Sequence, residues 1–155
     1  MMVWGEVELV EPSSTNTLSL GRNKITKGGL LVLGKMLTQD GTIVSKVRVG
    51  TGATPASDED EGLEMPIAID FPIINKSALQ SQDGRLVEAR FTSMIESEED
   101  SLSFTFSEAG LFAEFSDQDG NPVEVMVARI VFPPKYKKPF NEYYLTWKIK
   151  LALGA

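Results

Sequence analysis

Polar and apolar residues alternate along most of this chain, the period of half-buried strands. "VWGEVELV" sets Val3, Gly5, Val7 and Leu9 against Trp4, Glu6, Glu8 and Val10, and Pro12 with the Ser/Thr/Asn cluster closes it. "TIVSKVRVG" sets Ile43, Ser45, Val47 and Val49 inward against Val44, Lys46 and Arg48. "LVEARFTSMI" groups Val87, Ala89, Phe91, Ser93 and Ile95, "SLSFTF" groups Leu102, Phe104 and Phe106, and "YYLTWKIKLAL" groups Tyr143, Leu145, Trp147, Ile149, Leu151 and Leu153. "VEVMVARIVF" is apolar on both faces, which predicts a central strand or one pressed against a neighbouring subunit.

One segment has a helical period instead. "NKITKGGLLVLGKMLTQDG" places Ile25, Leu30, Leu33 and Leu37 on one face, with Leu31 and Met36 beside them, and ends at Asp40-Gly41. Gly28, Gly29 and Gly34 each cost about 1 kcal/mol in a helix interior, so the spacing predicts a late start or close approach by another backbone. Close packing is the expectation for Gly34.

The joints read as turns. "QDGR" and "DQDGNP" carry the Asp-Gly of tight hairpins, and "ESEEDS" is a polar tip. "GTGATPASDEDEGLEMP" reads as a loop. The order implies an antiparallel meander with one buried side, so the expected fold is mainly β: a single domain over 1–155, an antiparallel β-sandwich with one α-helix packed on it.

Composition narrows the chemistry. The 155 residues, 42% hydrophobic and 24% charged, suit one globular core. With 15 basic against 22 acidic residues the net charge of −7 opposes nucleic-acid binding. No apolar run is long enough for a membrane span, and the start lacks a signal-peptide pattern, so synthesis in a cytoplasm is expected. Cys and His are both absent, which removes disulfides, thiolate sites, the usual zinc ligands and the commonest general base.

The remaining candidates read structurally. Asp58, Glu59, Asp60, Glu61 and Glu64 crowd one loop, but their spacing does not match an EF-hand, and a solvated, mobile loop is expected. "GTGATP" lacks the Gly-Lys-Ser/Thr of a phosphate loop and reads as a turn. Glu108 follows a strand and precedes "AGLF"; it is expected to bond backbone N–H groups at a bend or to pair with Arg129, a charge embedded in the doubly apolar strand. Glu114 has no partner that spacing can place. "FPPKYKKPF" reads as a stiff basic loop unable to sit inside a sheet, and Lys135, Tyr136, Lys137, Lys138 and Phe140 form a possible interface, including with the 58–61 loop of another copy.

In order, "NKITKGGLLVLGKML", "VSKVRVGTGATPASDEDEGLE", "FTFSEAGLFAEF", "VARIVFPP" and "YYLTWKIKL" resemble a module of tailed-bacteriophage virion proteins of the tail-fibre or baseplate type, over about residues 23–151. The resemblance implies a β-rich structural module without catalysis, cofactor or metal. It implies structural roles for Gly50, Gly52, Glu108, Gly110, Phe112, Arg129, Pro133 and Trp147, with Ser107–Gly110 as a bend anchored by Leu111 and Phe112. Ending at Ala155 without a fibre extension, the chain is expected to be a small stand-alone virion part.

The expected function is therefore non-enzymatic: a virion structural protein of the tail, baseplate or fibre-attachment apparatus, acting by self-association and docking to other virion proteins. A capsid decoration protein is the alternative. A carboxylate-based glycan-processing enzyme is a third reading, with abundant Asp and Glu as its only support.

Overall fold

A computed structural model of the chain describes residues 1–11, 17–95 and 103–154. The elements run β1 (Met2–Val10), β2 (Thr17–Ile25), α1 (Lys27–Thr38), β3 (Ile43–Gly50), β4 (Phe71–Gln80), β5 (Leu86–Ile95), β6 (Phe104–Ser116), β7 (Pro122–Lys137) and β8 (Tyr143–Ala152). The alternating segments form strands as their period predicts. Leu102, Pro12 and the 96–101 tip lie outside the described residues.

The strands close into one antiparallel barrel in the order β1-β2-β7-β6-β3-β4-β5-β8, with β8 returning to β1. This corrects the expected sandwich. Two narrow seams make the difference: β2 crosses to β7 through Lys24 opposite Arg129 and Ile25 opposite Ala128, and β4 crosses to β3 through Pro72 opposite Lys46 and Phe71 opposite Val47. Pairing at both seams removes the open edges that a sandwich would leave. Neither seam strand shows in the residue pattern, because β2 and β4 are largely exposed and carry no clean alternation.

Two further expectations fail inside β6 and β7. Ser107–Gly110 is no bend; it lies within the continuous strand β6. Phe132–Lys137 belongs to β7, and Lys135–Lys137 pair with β6, against the expectation that this segment cannot sit inside a sheet. The prolines are tolerated because Pro133 and Pro134 fall in an irregularity, between the pairs Val131–Glu108 and Lys135–Phe106, where no ladder bond needs their missing N–H. A register shift between Val44 and Lys46 likewise turns Val44 inward and leaves Ile43 half exposed, the reverse of simple alternation.

The core unites Val7, Leu9, Val47, Val49, Leu111, Leu145 and the fully buried Trp147. Phe71, Phe104, Phe106 and Phe132 form a chain of rings with centroids 5.7–6.3 Å apart.

Helix α1 does not start late but at Lys27, ahead of all three glycines, because Thr26 caps it: its hydroxyl accepts from the Gly29 N–H at 2.9 Å and donates to the Met126 carbonyl at 2.5 Å. Gly28 and Gly29 press on β7, where a Cβ would strike Val125 and the Val127 carbonyl. Gly34, expected to be the close-packing glycine, has no neighbour near its Cβ position. The helix buries Val32 and turns Leu33 and Met36 toward an apolar cavity of about 160 Å³ shared with Val44, Phe91, Leu111 and Ile149, and so caps the barrel. Leu30, Leu31 and Leu37, expected on its inner face, are exposed.

Candidate functional site

The segment 51–70 runs as a strap against β3, β6 and β7, bonded along Val49 and Thr51 and bringing Leu63 beside Phe112 and Met126. One side chain fastens it. Glu108 of β6 is fully buried; its Oε1 accepts from the N–H groups of Gly52 at 3.1 Å and Met65 at 2.8 Å. Its Oε2 accepts from the Glu64 N–H at 3.1 Å and from Arg129 Nε at 2.9 Å. Both oxygens are thus satisfied by strap backbone and a neighbouring strand.

Arg129 of β7 completes the clamp. Its Nη1 donates to Asp60 Oδ2 at 2.9 Å, and the same oxygen accepts from the Ser57 N–H at 2.9 Å. Burial works to lower the guanidinium's affinity for its proton, but Asp60 and Glu108 outweigh it and hold the group above its ordinary value. The acidic loop read as solvated and mobile is tied to the barrel through Asp60.

The glycines fit this packing. A Cβ on Gly52 would lie 2.6 Å from the Glu108 carboxyl carbon, and one on Gly50 would meet the Met65 carbonyl and Glu108. Gly110 faces Arg129 in the β6–β7 ladder, and a Cβ there would meet Phe112, Met126 and Leu63 at 2.9–3.1 Å. Phe112 in turn lies under Arg48, whose guanidinium sits 4.7 Å from the ring centroid.

A second charged group surrounds Arg48. Arg48 pairs with Asp70 and Glu124, and Lys46 with Asp70, Glu114 and Glu124. The hydrogen bond from Arg48, against some burial, lowers the Asp70 carboxyl below its ordinary value. At Glu124 burial opposes the shift, and Arg48 with Lys46 lowers the group nonetheless.

The residues singled out from sequence thus separate. Gly50, Gly52, Glu108 and Arg129 meet in the clamp, with Gly110 and Phe112 beside them. Pro133 lies in the β7 irregularity, and Trp147 belongs to the core. Of the possible interface, Tyr136, Lys138 and Phe140 are exposed and Lys135 is half-buried. Lys137 is fully buried, its Nζ donating to the Lys138 carbonyl at 3.2 Å, which removes it from any such surface.

Sequence reasoning missed Asp60 as a clamp member, since nothing in its acidic run separates it from its neighbours. It also missed Asn23, whose buried side-chain amide has no hydrogen-bond partner among the described residues. Among the described residues no group of three or more His, Cys, Asp or Glu is arranged to hold a metal ion, and no helix is long and apolar enough to cross a membrane.

No protein-family model matches the chain, and comparisons with curated proteins and with solved structures return no match.

Proposed function

We propose that the chain is a non-enzymatic structural subunit that works by docking to copies of itself and to larger proteins of a phage tail, baseplate or fibre-attachment apparatus. The docking part rests on one observation: α1 turns Leu30, Leu31 and Leu37 outward, 61%, 49% and 88% exposed. A grouping of large apolar side chains on one helix marks an interaction surface. The virion part rests on the resemblance of the five ordered segments. The carboxylate best placed in the molecule, Glu108, is enclosed by its own donors, and Glu114 is paired with Lys46, so neither offers a free acid to a glycan.

The test is incorporation into particles. Purified virions should contain the wild-type chain at the tail, located by cryo-electron microscopy, and Leu30→Asp with Leu37→Asp should abolish incorporation while the variant keeps its fold. Hundreds of copies over the head would replace the tail reading with capsid decoration. Absence from purified virions overturns both.

A further inference from the structure

Strand β7 carries complementary surfaces at its two ends. At its start, a groove of about 350 Å³ opens between α1, the strap and the strand, with Leu31, Val125 and Met126 on its apolar floor. Its rim is acidic. Glu59 is engaged by Lys27, Asp60 by Arg129, and Glu124 by Lys46 and Arg48, but Asp58 and Glu61 have no ion pair among the described residues.

At the other end, the last residues of β7 and the turn into β8 present Tyr136, 53% exposed, and Phe140, 70% exposed. Phe140 holds φ at 61°, the left-handed region that a bulky side chain adopts at a cost, so an aromatic ring is displayed where a glycine would be easier. Lys135 and Lys138 lie next to these aromatics along the chain, Lys135 on the face of β7 opposite Tyr136, and neither has an ion pair among the described residues. The nearby carboxylate of Glu142 is occupied by the Tyr144 hydroxyl at 3.2 Å.

We propose that the β7–β8 turn of one copy seats in the groove at the start of β7 of another, its aromatic ring on the apolar floor and its two lysines against Asp58 and Glu61. This rests on the self-association reading above and names its contact. From Met126 to Lys135 an extended strand spans about 30 Å, so the turn does not fold back into the groove of its own chain. Two different patches join in such a contact; repeated head to tail it builds a ring or a filament, and it closes as a pair only if two copies lie antiparallel. The unpaired charges set the register, and the rings supply the burial.

The experiment is sedimentation velocity over a range of concentrations at low salt. The turn variant Lys135→Glu with Lys138→Glu and the groove variant Asp58→Lys with Glu61→Lys remove no salt bridge among the described residues, Asp58 acting on Lys27 only as a nearby charge, and thermal melts check that each keeps its fold. Wild type is expected to associate, with each variant alone weakened about tenfold or more because like charges then face each other. An equimolar mixture regains association, since each altered surface finds an opposite charge on the other variant. Variants that associate like wild type overturn the contact and leave self-association standing. A wild-type chain that stays monomeric at every concentration overturns self-association and this contact together.

Discussion

Oε2 of Glu108 accepts from Nε of Arg129 at 2.9 Å, with both side chains buried between the barrel wall and the strap. The pair spans β6 and β7 diagonally, since Arg129 faces Gly110 and Glu108 faces Val131. Its consequence is long-range order. The same carboxylate accepts from Gly52, Glu64 and Met65, and the same guanidinium reaches Asp60, so two adjacent strand residues fix both ends of the strap.

Removing the carboxylate should therefore cost more than removing the cation. Glu108→Ala strands three backbone N–H groups and a buried guanidinium, and a loss of about 3–5 kcal/mol is expected in urea unfolding. Arg129→Met leaves Glu108 its three backbone donors and should cost less. Hydrogen exchange should accelerate at Gly52, Glu64 and Met65 in Glu108→Ala, with Val7 and Trp147 still protected. Equal losses in the two variants would contradict this division.

Two glycines should respond in opposite directions to alanine. At Gly52 the new methyl would press on the Glu108 carboxylate, so Gly52→Ala should destabilise by about 1–3 kcal/mol through overpacking. Gly34 lies in a helix interior with nothing near its Cβ position, so Gly34→Ala should stabilise by about 1 kcal/mol. Denaturant midpoints measured side by side decide both.

Acid should weaken the fold in a defined window. Lys150 holds Glu6 below its ordinary 4.5, Arg48 holds Asp70 below 3.8, and Glu124 lies below 4.5 despite burial. Carboxyls lowered in the folded state bind protons more readily when unfolded. The stability they give is full above their ordinary values and is lost as pH falls through the folded ones. Melting temperature should stay level from pH 7 to about pH 5 and drop below about pH 4.5. Replacing Arg48 with Met should shrink that drop; an unchanged acid limb would refute the assignment.

Asn23 is a polar group out of place. Its amide sits over Gly5 with neither oxygen nor nitrogen bonded among the described residues. Leu has a similar size and nothing to desolvate, so Asn23→Leu should raise stability by about 1 kcal/mol. Asn23→Asp buries a charge instead and should lower it by more. Chemical denaturation at pH 7 separates the two signs, and a loss for Leu would point to a hydrogen bond that the amide makes.

The clamp was half legible. Charges set in strands as apolar as β6 and β7 must meet a partner, and that rule alone points from Arg129 to Glu108. Asp60 was hidden because it sits 69 residues from Arg129 in a run of equivalent acids. Gly110 suggested a bend because glycine often marks one, yet its missing side chain makes room for Phe112, Met126 and Leu63. Leu30 and Leu37 share a helical face that periodicity assigns to the core. The glycines of the first turn decide otherwise, because they set which side of α1 lies against β7.

By itself the sequence determined the strands that alternate, the Asp-Gly turns at Gly84 and Gly120, and the need for a charged pair inside the apolar wall. These follow from local rules: side-chain period, positive φ and the cost of burying a lone charge. Tertiary structure decided that the sheet closes, that the strap covers its outer face, and which side of the helix meets water. Each of those depends on weakly patterned segments, β2, β4 and residues 51–70, whose places come from the partners they find across the fold and not from their own residues.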